Sequence, residues 1–314
     1  MIHFVKHNDI DPIKWNASLQ ASKFRSVFCS YEILNELTHG GNWNALVSDD
    51  YQYIMPLPER SKLGLSYIYT PFFLPQMGIF STQNVSSEIV TQFIQAIPEK
   101  YKQVDALLNA SNDVSSLNTH TLTLISHQLN LNTPYEELFS NFAQNTQRNI
   151  KSARKQNLTF ETKNVKIREI IELFIQNKGK ENVVHFKTDD YKTLEQTAQT
   201  FLKLNKLDVV GVRTADGQLI AGALFVKDFD RSWFWFSGRD NRFSKEKPMF
   251  FLLDEYIKSQ AEKSLFLDFN GSNNENVARL YKGFGGQPYE IHMLNFSHNS
   301  RLHGLLKFYR KLKS

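Results

Sequence analysis

The chain has one cysteine, Cys29, in 314 residues. A single thiol excludes an internal disulfide, and nothing resembles a cysteine zinc set. The nine histidines are scattered. His3 and His7 are four apart, but on a stretch that reads as strand then turn, so no metal site is expected. Long apolar runs are missing too: none approaches the roughly 20 residues of a membrane span. The first residues, MIHFVKHNDIDP, carry neither a charged n-region nor an apolar h-region, so no secretory signal is expected. The expectation is a reduced, cytoplasmic protein. Charge imbalance is mild at +5. It would favour anionic partners such as a nucleotide cofactor or RNA, but many ordinary proteins carry as much, so charge alone points to no partner.

What is present is the material of globular cores. Hydrophobic content is 41% and charged content 22%, the proportions of a soluble globular protein. The 25 Phe and 12 Tyr supply large apolar bodies. The length suits one large domain or two ordinary ones.

Along the chain, residues 2–6 read as a strand and 30–37 as a short helix ended by Gly40 and Gly41. Asn42 to Met55 reads as a hairpin turning at Ser48-Asp49-Asp50. A strand at 65–69 precedes the aromatic, proline-punctuated loop Pro71 to Gly78, which suits core packing or an acceptor pocket. A helix at about 86–97 and strands near 104–108 and 121–126 complete a first α/β region, closing near Asn132-Thr133-Pro134. A long helix is expected after Pro134. Its Arg148, Lys151, Arg154 and Lys155 form either a solvated basic face or a rim for an anionic substrate. Helices at 166–177 and 189–204 lead to strands at 208–213, 219–226 and 232–236, with Asp216-Gly217 as the first turn. Arg301 to Ser314 reads as a basic amphipathic segment, either a docked terminal helix or a membrane-surface or RNA contact.

The stretch from Trp233 to Gly286 organises the rest. A strand runs into the basic loop Gly238 to Lys247, the loop into a helix opened by Pro248, and that helix into the strand Leu265-Phe266-Leu267-Asp268. Proline suits a first helical turn because its missing N–H would be unpaired there. The helix start offers free N–H groups and partial positive charge, worth roughly 0.3–1 kcal/mol per exposed interaction. Arg239, Arg242, Lys245 and Lys247 beside it make either a pyrophosphate cradle or a solvated loop. Ser237, Asp268, Asn270 and Ser272 lie near predicted strand ends. Asp268 reads as a general base for an acceptor amine or as a turn residue. An internal echo appears here: Leu108-Asn109-Ala110-Ser111-Asn112 and Phe269-Asn270-Gly271-Ser272-Asn273 each follow a predicted strand, in the same order of hairpin, strand, helix and strand. That order favours a duplicated domain. The first copy lacks a counterpart of Asn276 to Gly286, so the second half is expected to hold the chemistry.

The segment N-E-N-V-A-R-L-Y-K-G-F-G-G, Asn274 to Gly286, places Asn274, Val277 and Tyr281 on one helix face. It resembles the GNAT acyltransferase pattern N-x-x-A-x-x-L-Y-x-x-x-G-F at Asn274, Leu280, Tyr281 and Gly285, with Val277 in place of the usual alanine. The wider layout, with RNIKSARKQNL ahead and LDFNGS before the last helix, resembles the Fem-type aminoacyltransferases and their GNAT-like bacterial relatives. The likeness covers about residues 135–296 well and the first half in outline.

The resemblance implies an α/β (α+β) fold of two tandem GNAT-like domains, with mixed, mostly antiparallel sheets flanked by helices. The expected division is a degenerate first domain over 1–133 and an acyltransferase domain over 134–314. It implies Tyr281 as the acid that protonates departing coenzyme A, consistent with a phenol pKa of about 10 against about 8.5 for a thiol. It implies that Asn274 binds the cofactor arm. Residues 239–247, with Ser237, would take the place of the family's phosphate loop, from which they depart by lacking its glycines. The implied activity is acyl transfer from acyl-CoA to an amine acceptor. One alternative is aminoacyl transfer from tRNA to a cell-wall precursor, and another is a non-catalytic binding module on the same fold.

Overall fold

A computed structural model describes residues 1–62, 64–117, 121–177, 186–263, 265–271 and 274–297. Ser272 and the basic terminal segment Arg301 to Ser314 lie outside the described residues. Two compact units emerge, one of Met1–Leu124 with the described residues from Glu290 onward, the other of Ile125–Tyr289.

The first unit opens with β1 (Ile2–Val5), then α1 (Pro12–Ala21), α2 (Tyr31–Leu37), β2 (Trp43–Ser48), β3 (Tyr53–Lys62), β4 (Leu65–Tyr69), the short β5 (Phe80–Ser81), α3 (Ser87–Gln95) and β6 (Tyr101–Leu107). Helix α1 starts on Asp11, whose carboxylate accepts from Ile13 N at 2.9 Å and Lys14 N at 3.1 Å, with Pro12 in the first turn. It buries only Trp15 and Leu19, so its apolar period is weak. Strands β1, β2, β3 and β4 pair antiparallel in succession. The chain then crosses over through α3 so that β6 lies parallel to β4.

The chain next passes through β7 (Thr121–Asn130), which spans the boundary between the units. The second unit continues with α4 (Tyr135–Ser140), α5 (Gln144–Ala153), β8 (Thr159–Glu161), α6 (Ile167–Asn177), α7 (Thr188–Lys203), β9 (Leu207–Arg213), β10 (Leu219–Lys227), β11 (Arg231–Arg239), α8 (Pro248–Gln260), β12 (Phe266–Asp268) and α9 (Glu275–Gly283). Strands β8 to β11 pair antiparallel in succession, and the crossover through α8 sets β12 parallel to β11. The second unit thus repeats the pairing pattern of the first, which is the tandem arrangement of a mixed α/β fold. Strand β10 is buried almost throughout because both its faces are covered. On one side α6 packs against backbone: a Cβ on Gly222 would meet Ile170 Cγ1 at 2.6 Å, and one on Gly238 would meet the Ile170 carbonyl oxygen at 2.3 Å. Helix α8 brings Leu252, Leu253, Tyr256 and Ile257 into the core with Val210, Ile220 and Phe225.

Two expectations about layout differ from this structure. The long helix after Pro134 is two helices. The break is fixed at Ala143, whose extended backbone donates its N–H to the carbonyl of Gly283 at 2.9 Å, a partner 140 positions on that no local pattern announces. The units also divide after Leu124 and again after Tyr289, not at 133/134. The reason is strand pairing: the end of β7 pairs antiparallel with β12, and the last strand, β13 (Gln287–Phe296), pairs antiparallel with β6. Both boundaries therefore fall within strands, β7 and β13.

Candidate active site

Strand β11 holds nine residues, yet it pairs with β12 only where Arg231, Ser232 and Trp233 face Phe266, Leu267 and Asp268. On the opposite edge its pairing with β10 runs on to Arg239. The register there slips between Leu224 and Phe225, which face Phe236 and Phe234, so Trp235 is an extra residue. A bulge of this kind bends its strand and raises the local twist. Beyond Trp233 the backbone of β11 has no strand partner on the β12 side among the described residues. A free strand edge is a row of donors and acceptors open to an amide-bearing chain.

Tyr281 stands beside this opening. It is 7% exposed, stacks on Phe269 with ring centroids 4.7 Å apart, and meets Phe234 edge-on at 6.3 Å. Helix α9 aims it. Asn274 caps that helix, accepting from Asn276 N at 3.0 Å and Val277 N at 3.3 Å. At its far end Gly283 lies so close to Thr146 that an added Cβ would fall 2.3 Å from Oγ1, which locks α9 against α5. Burial, and secondarily the Asp268 charge, push the Tyr281 phenol above its ordinary pKa. No residue among those described hydrogen-bonds its hydroxyl.

Asp268 and Phe269 are consecutive at the end of β12, so their side chains leave on opposite faces. Phe269 carries Tyr281. Asp268 is fully buried and engaged at both oxygens. Oδ1 accepts from Asn270 N at 2.9 Å and Ser126 Oγ at 3.3 Å. Oδ2 accepts from the Tyr289 hydroxyl at 2.6 Å and lies 3.5 Å from Arg231 Nη1. Burial raises its pKa, against these hydrogen bonds and the Arg231 charge. The bond from Asn270 N closes an Asx turn, and Asn270 itself sits at φ 57°, a region asparagine tolerates better than most residues.

The predicted phosphate loop is a short 3-10 segment, Asn241–Glu246, ahead of α8. Pro248 occupies the first turn of the helix, and Lys247 precedes it in the left-handed region at φ 58°, ψ 42°. Arg242 is committed to Asp240, with Nη2 at 2.6 Å and Nε at 3.0 Å from Oδ2, and these bonds hold the Asp240 carboxyl below its usual range. Arg239 donates to Asn241 Oδ1 at 3.2 Å and is exposed, as is Lys245. Ser237 is half-buried on β11 opposite Ala223. Gly238, the loop's one glycine, serves the packing of α6. Of the basic face on α5, Arg154 is bound to the buried Asp254 at 2.7 Å, while Arg148, Lys151 and Lys155 are exposed. A separate cavity of about 440 Å³, lined by Phe160, Lys163, Asp208, Tyr256 and Gln260 among others, contains none of the predicted site residues.

One residue that no motif marks belongs with Tyr281. His127, on β7, is the cross-strand neighbour of Phe269, whose N–H donates to the His127 carbonyl at 2.9 Å. Its ring centroid is 6.1 Å from that of Tyr281. The side chain is 1% exposed, and neither ring nitrogen has a hydrogen-bond partner among the described residues. A buried polar group left so costs about 1–3 kcal/mol. Burial, and then the ammonium of Lys282, lower its pKa, so the imidazole is neutral at pH 7. A lone histidine in TLTLISHQLN gives no signal; only strand register brings it to the site.

Residues 140–282 match the model of the acetyltransferase (GNAT) domain. The chain has the fold of FemX, with a TM-score of 0.67 at 13% identity, covering 94% of this chain and 98% of that one. It is also similar to L-PGS from Bacillus licheniformis (TM-score 0.56, 11% identity, 96% of each chain). A tandem GNAT protein from the clavulanic acid biosynthesis pathway gives a TM-score of 0.50 at 9% identity, over 94% and 98% of the two chains. No curated protein sequence matches this one. Residues 140–282 thus match a GNAT domain within a chain that has the fold of FemX and of a tandem GNAT protein.

Proposed function

We propose that the protein is an N-acyltransferase that carries an activated acyl group from acyl-CoA to an amine acceptor, with Tyr281 as the acid for the leaving thiolate. The observation that carries the reading is the early parting of β11 and β12 beside Tyr281. The free edge of β11 suits the amide-bearing arm of such a donor, laid along it like an added strand. The aromatic rings around Tyr281 exclude water from the acid, and its raised pKa keeps it protonated at neutral pH. Asn274 and Ser237 lie within this half of the chain as contacts for the donor arm, with Arg239, Lys245 and Lys247 for its phosphates. Tyr281→Phe is expected to lower kcat by roughly 10²–10⁴-fold while leaving donor binding intact. A thiol-release assay over a panel of amines measures this, and an unchanged rate refutes the role.

A second reading keeps the same acid and slot but takes an aminoacyl group from tRNA to a cell-wall precursor. Two observations at the start of α8 favour it: Arg242 is already matched by Asp240, and α6 fills the space at the loop's glycine. Under that reading tRNA binding weakens steeply with salt. Micromolar binding of acetyl-CoA, lost in a Lys245→Glu, Lys247→Glu variant, selects the first reading. Absence of binding at millimolar acetyl-CoA selects the second.

A further inference from the structure

Acyl transfer to an amine needs two proton transfers: one proton leaves the attacking nitrogen and one reaches the leaving group. Tyr281 accounts for the second. Asp268 is a poor agent for the first, because it points to the other face of β12 and both its oxygens are occupied. His127 shares the Tyr281 face, with its ring centroid 6.1 Å from that of the tyrosine and both ring nitrogens buried without a partner among the described residues. Among the described residues, the Tyr281 ring of α9 lies beside it, the Lys282 ammonium acts on its charge, and Phe269, just past β12, meets its backbone. None of them takes its hydrogen-bonding capacity, and the neutral ring has one nitrogen ready to accept.

We propose that His127 is the base of the site, paired with Tyr281 as the acid; the inference rests on the transferase reading above. The acceptor nitrogen bonds to the acyl carbon as the carbon–sulfur bond breaks, or the carbon–oxygen bond of an aminoacyl ester. The proton of that nitrogen passes to the free ring nitrogen of His127. The Tyr281 hydroxyl proton passes to the departing sulfur or oxygen. The imidazolium then returns its proton to the phenolate, which restores both groups and leaves amide and free thiol or alcohol. Bound acceptor supplies the partner that the imidazole otherwise lacks.

The test compares wild-type protein with His127→Phe and His127→Asn, using acetyl-CoA and aminoacyl-tRNA in turn as donor. Both variants are expected to lose roughly 10²–10⁴-fold in kcat, with donor KM unchanged. The acid limb of the wild-type kcat–pH profile should vanish with them, and the Tm of His127→Phe should not fall. A merely structural histidine would move Tm and leave the acid limb in place. Either folded variant at wild-type kcat overturns the inference alone. If His127→Phe does not fold, His127→Asn decides by the same readouts. Wild-type protein that turns over neither donor overturns the transferase reading, and this inference with it.

Discussion

The two units repeat one pattern and finish it differently. In the first, β4 stays paired with β6 from Ser66 to Tyr69, and Thr70 continues the seam by accepting from Leu107 N at 2.8 Å. In the second, β11 leaves β12 after three residues. The loops that follow differ in the same sense. Asn109 donates to the carbonyls of Met77 and Ile79 at 3.1 and 3.0 Å and accepts from Ser111 N at 3.0 Å. Asn112 donates to Ile79 O and accepts from Ile79 N, both at 2.8 Å. Both buried asparagines are thus used inside the fold. In the second unit one face of the strand end is equally saturated, around Asp268, while on the other the side chains of His127 and Tyr281 have no hydrogen-bond partner among the described residues. Incomplete pairing among the described residues, in backbone and side chain alike, is what separates the open strand end of the second copy from the closed one of the first.

The comparison is sharpened first at its most saturated point. Asp268→Ala leaves Arg231, whose side chain is 12% exposed, without its buried partner. It also removes one hydrogen-bond partner each from Tyr289, Ser126 and Asn270 N. A loss of about 3–5 kcal/mol in unfolding free energy is expected, read by urea denaturation. A loss below about 1 kcal/mol would mean the network is not what holds this strand end. The counterpart in the closed copy is Asn109→Ala. It removes one of two donors from each of the Met77 and Ile79 carbonyls, so about 1–3 kcal/mol should go at roughly 0.5–1.5 per hydrogen bond, with no effect on kcat if the first unit carries no chemistry. A fall in kcat at unchanged fold would break the comparison by giving the first unit a catalytic part.

Much of this was legible in the sequence, and the part that was not has a common cause. The hairpins, the helices between strands and the placing of Asn274 and Tyr281 on one helical stretch are local patterns, set by periodicities of two and 3.6 and by turn residues, whereas the capping role of Asn274 was not read from them. The doubled order of elements was legible for the same reason. What escaped depends on register between distant segments. The parting of β11 and β12, the break at Ala143 and the division of β7 and β13 between units each follow from which residue faces which. His127 is the sharpest case, since a one-residue slip of β7 would turn it to the Asp268 face. The loop before α8 shows the converse: four basic residues were visible, but the commitment of Arg242 to Asp240, two positions away, was not weighed by charge counting.

The smallest effect tests the open copy through pH. In the native protein the His127 pKa lies below its ordinary value of about 6.5. Between that lowered value and about 6.5, the unfolded chain binds a proton there and the native protein does not, so native stability falls as pH drops through this window. One proton sets the limit of the slope, about 1.4 kcal/mol per pH unit. Above pH 7 both states hold a neutral ring and the contribution is flat. His127→Phe removes the titrating group and an unpaired buried polar group together, so it should match or exceed wild-type stability at pH 7. It should also lose less stability than wild type on acidification from pH 7 to 5. Parallel acid profiles for the two proteins would mean that His127 gains its proton in the folded state as readily as in the unfolded chain, and that the face beside Tyr281 is as satisfied as the closed copy.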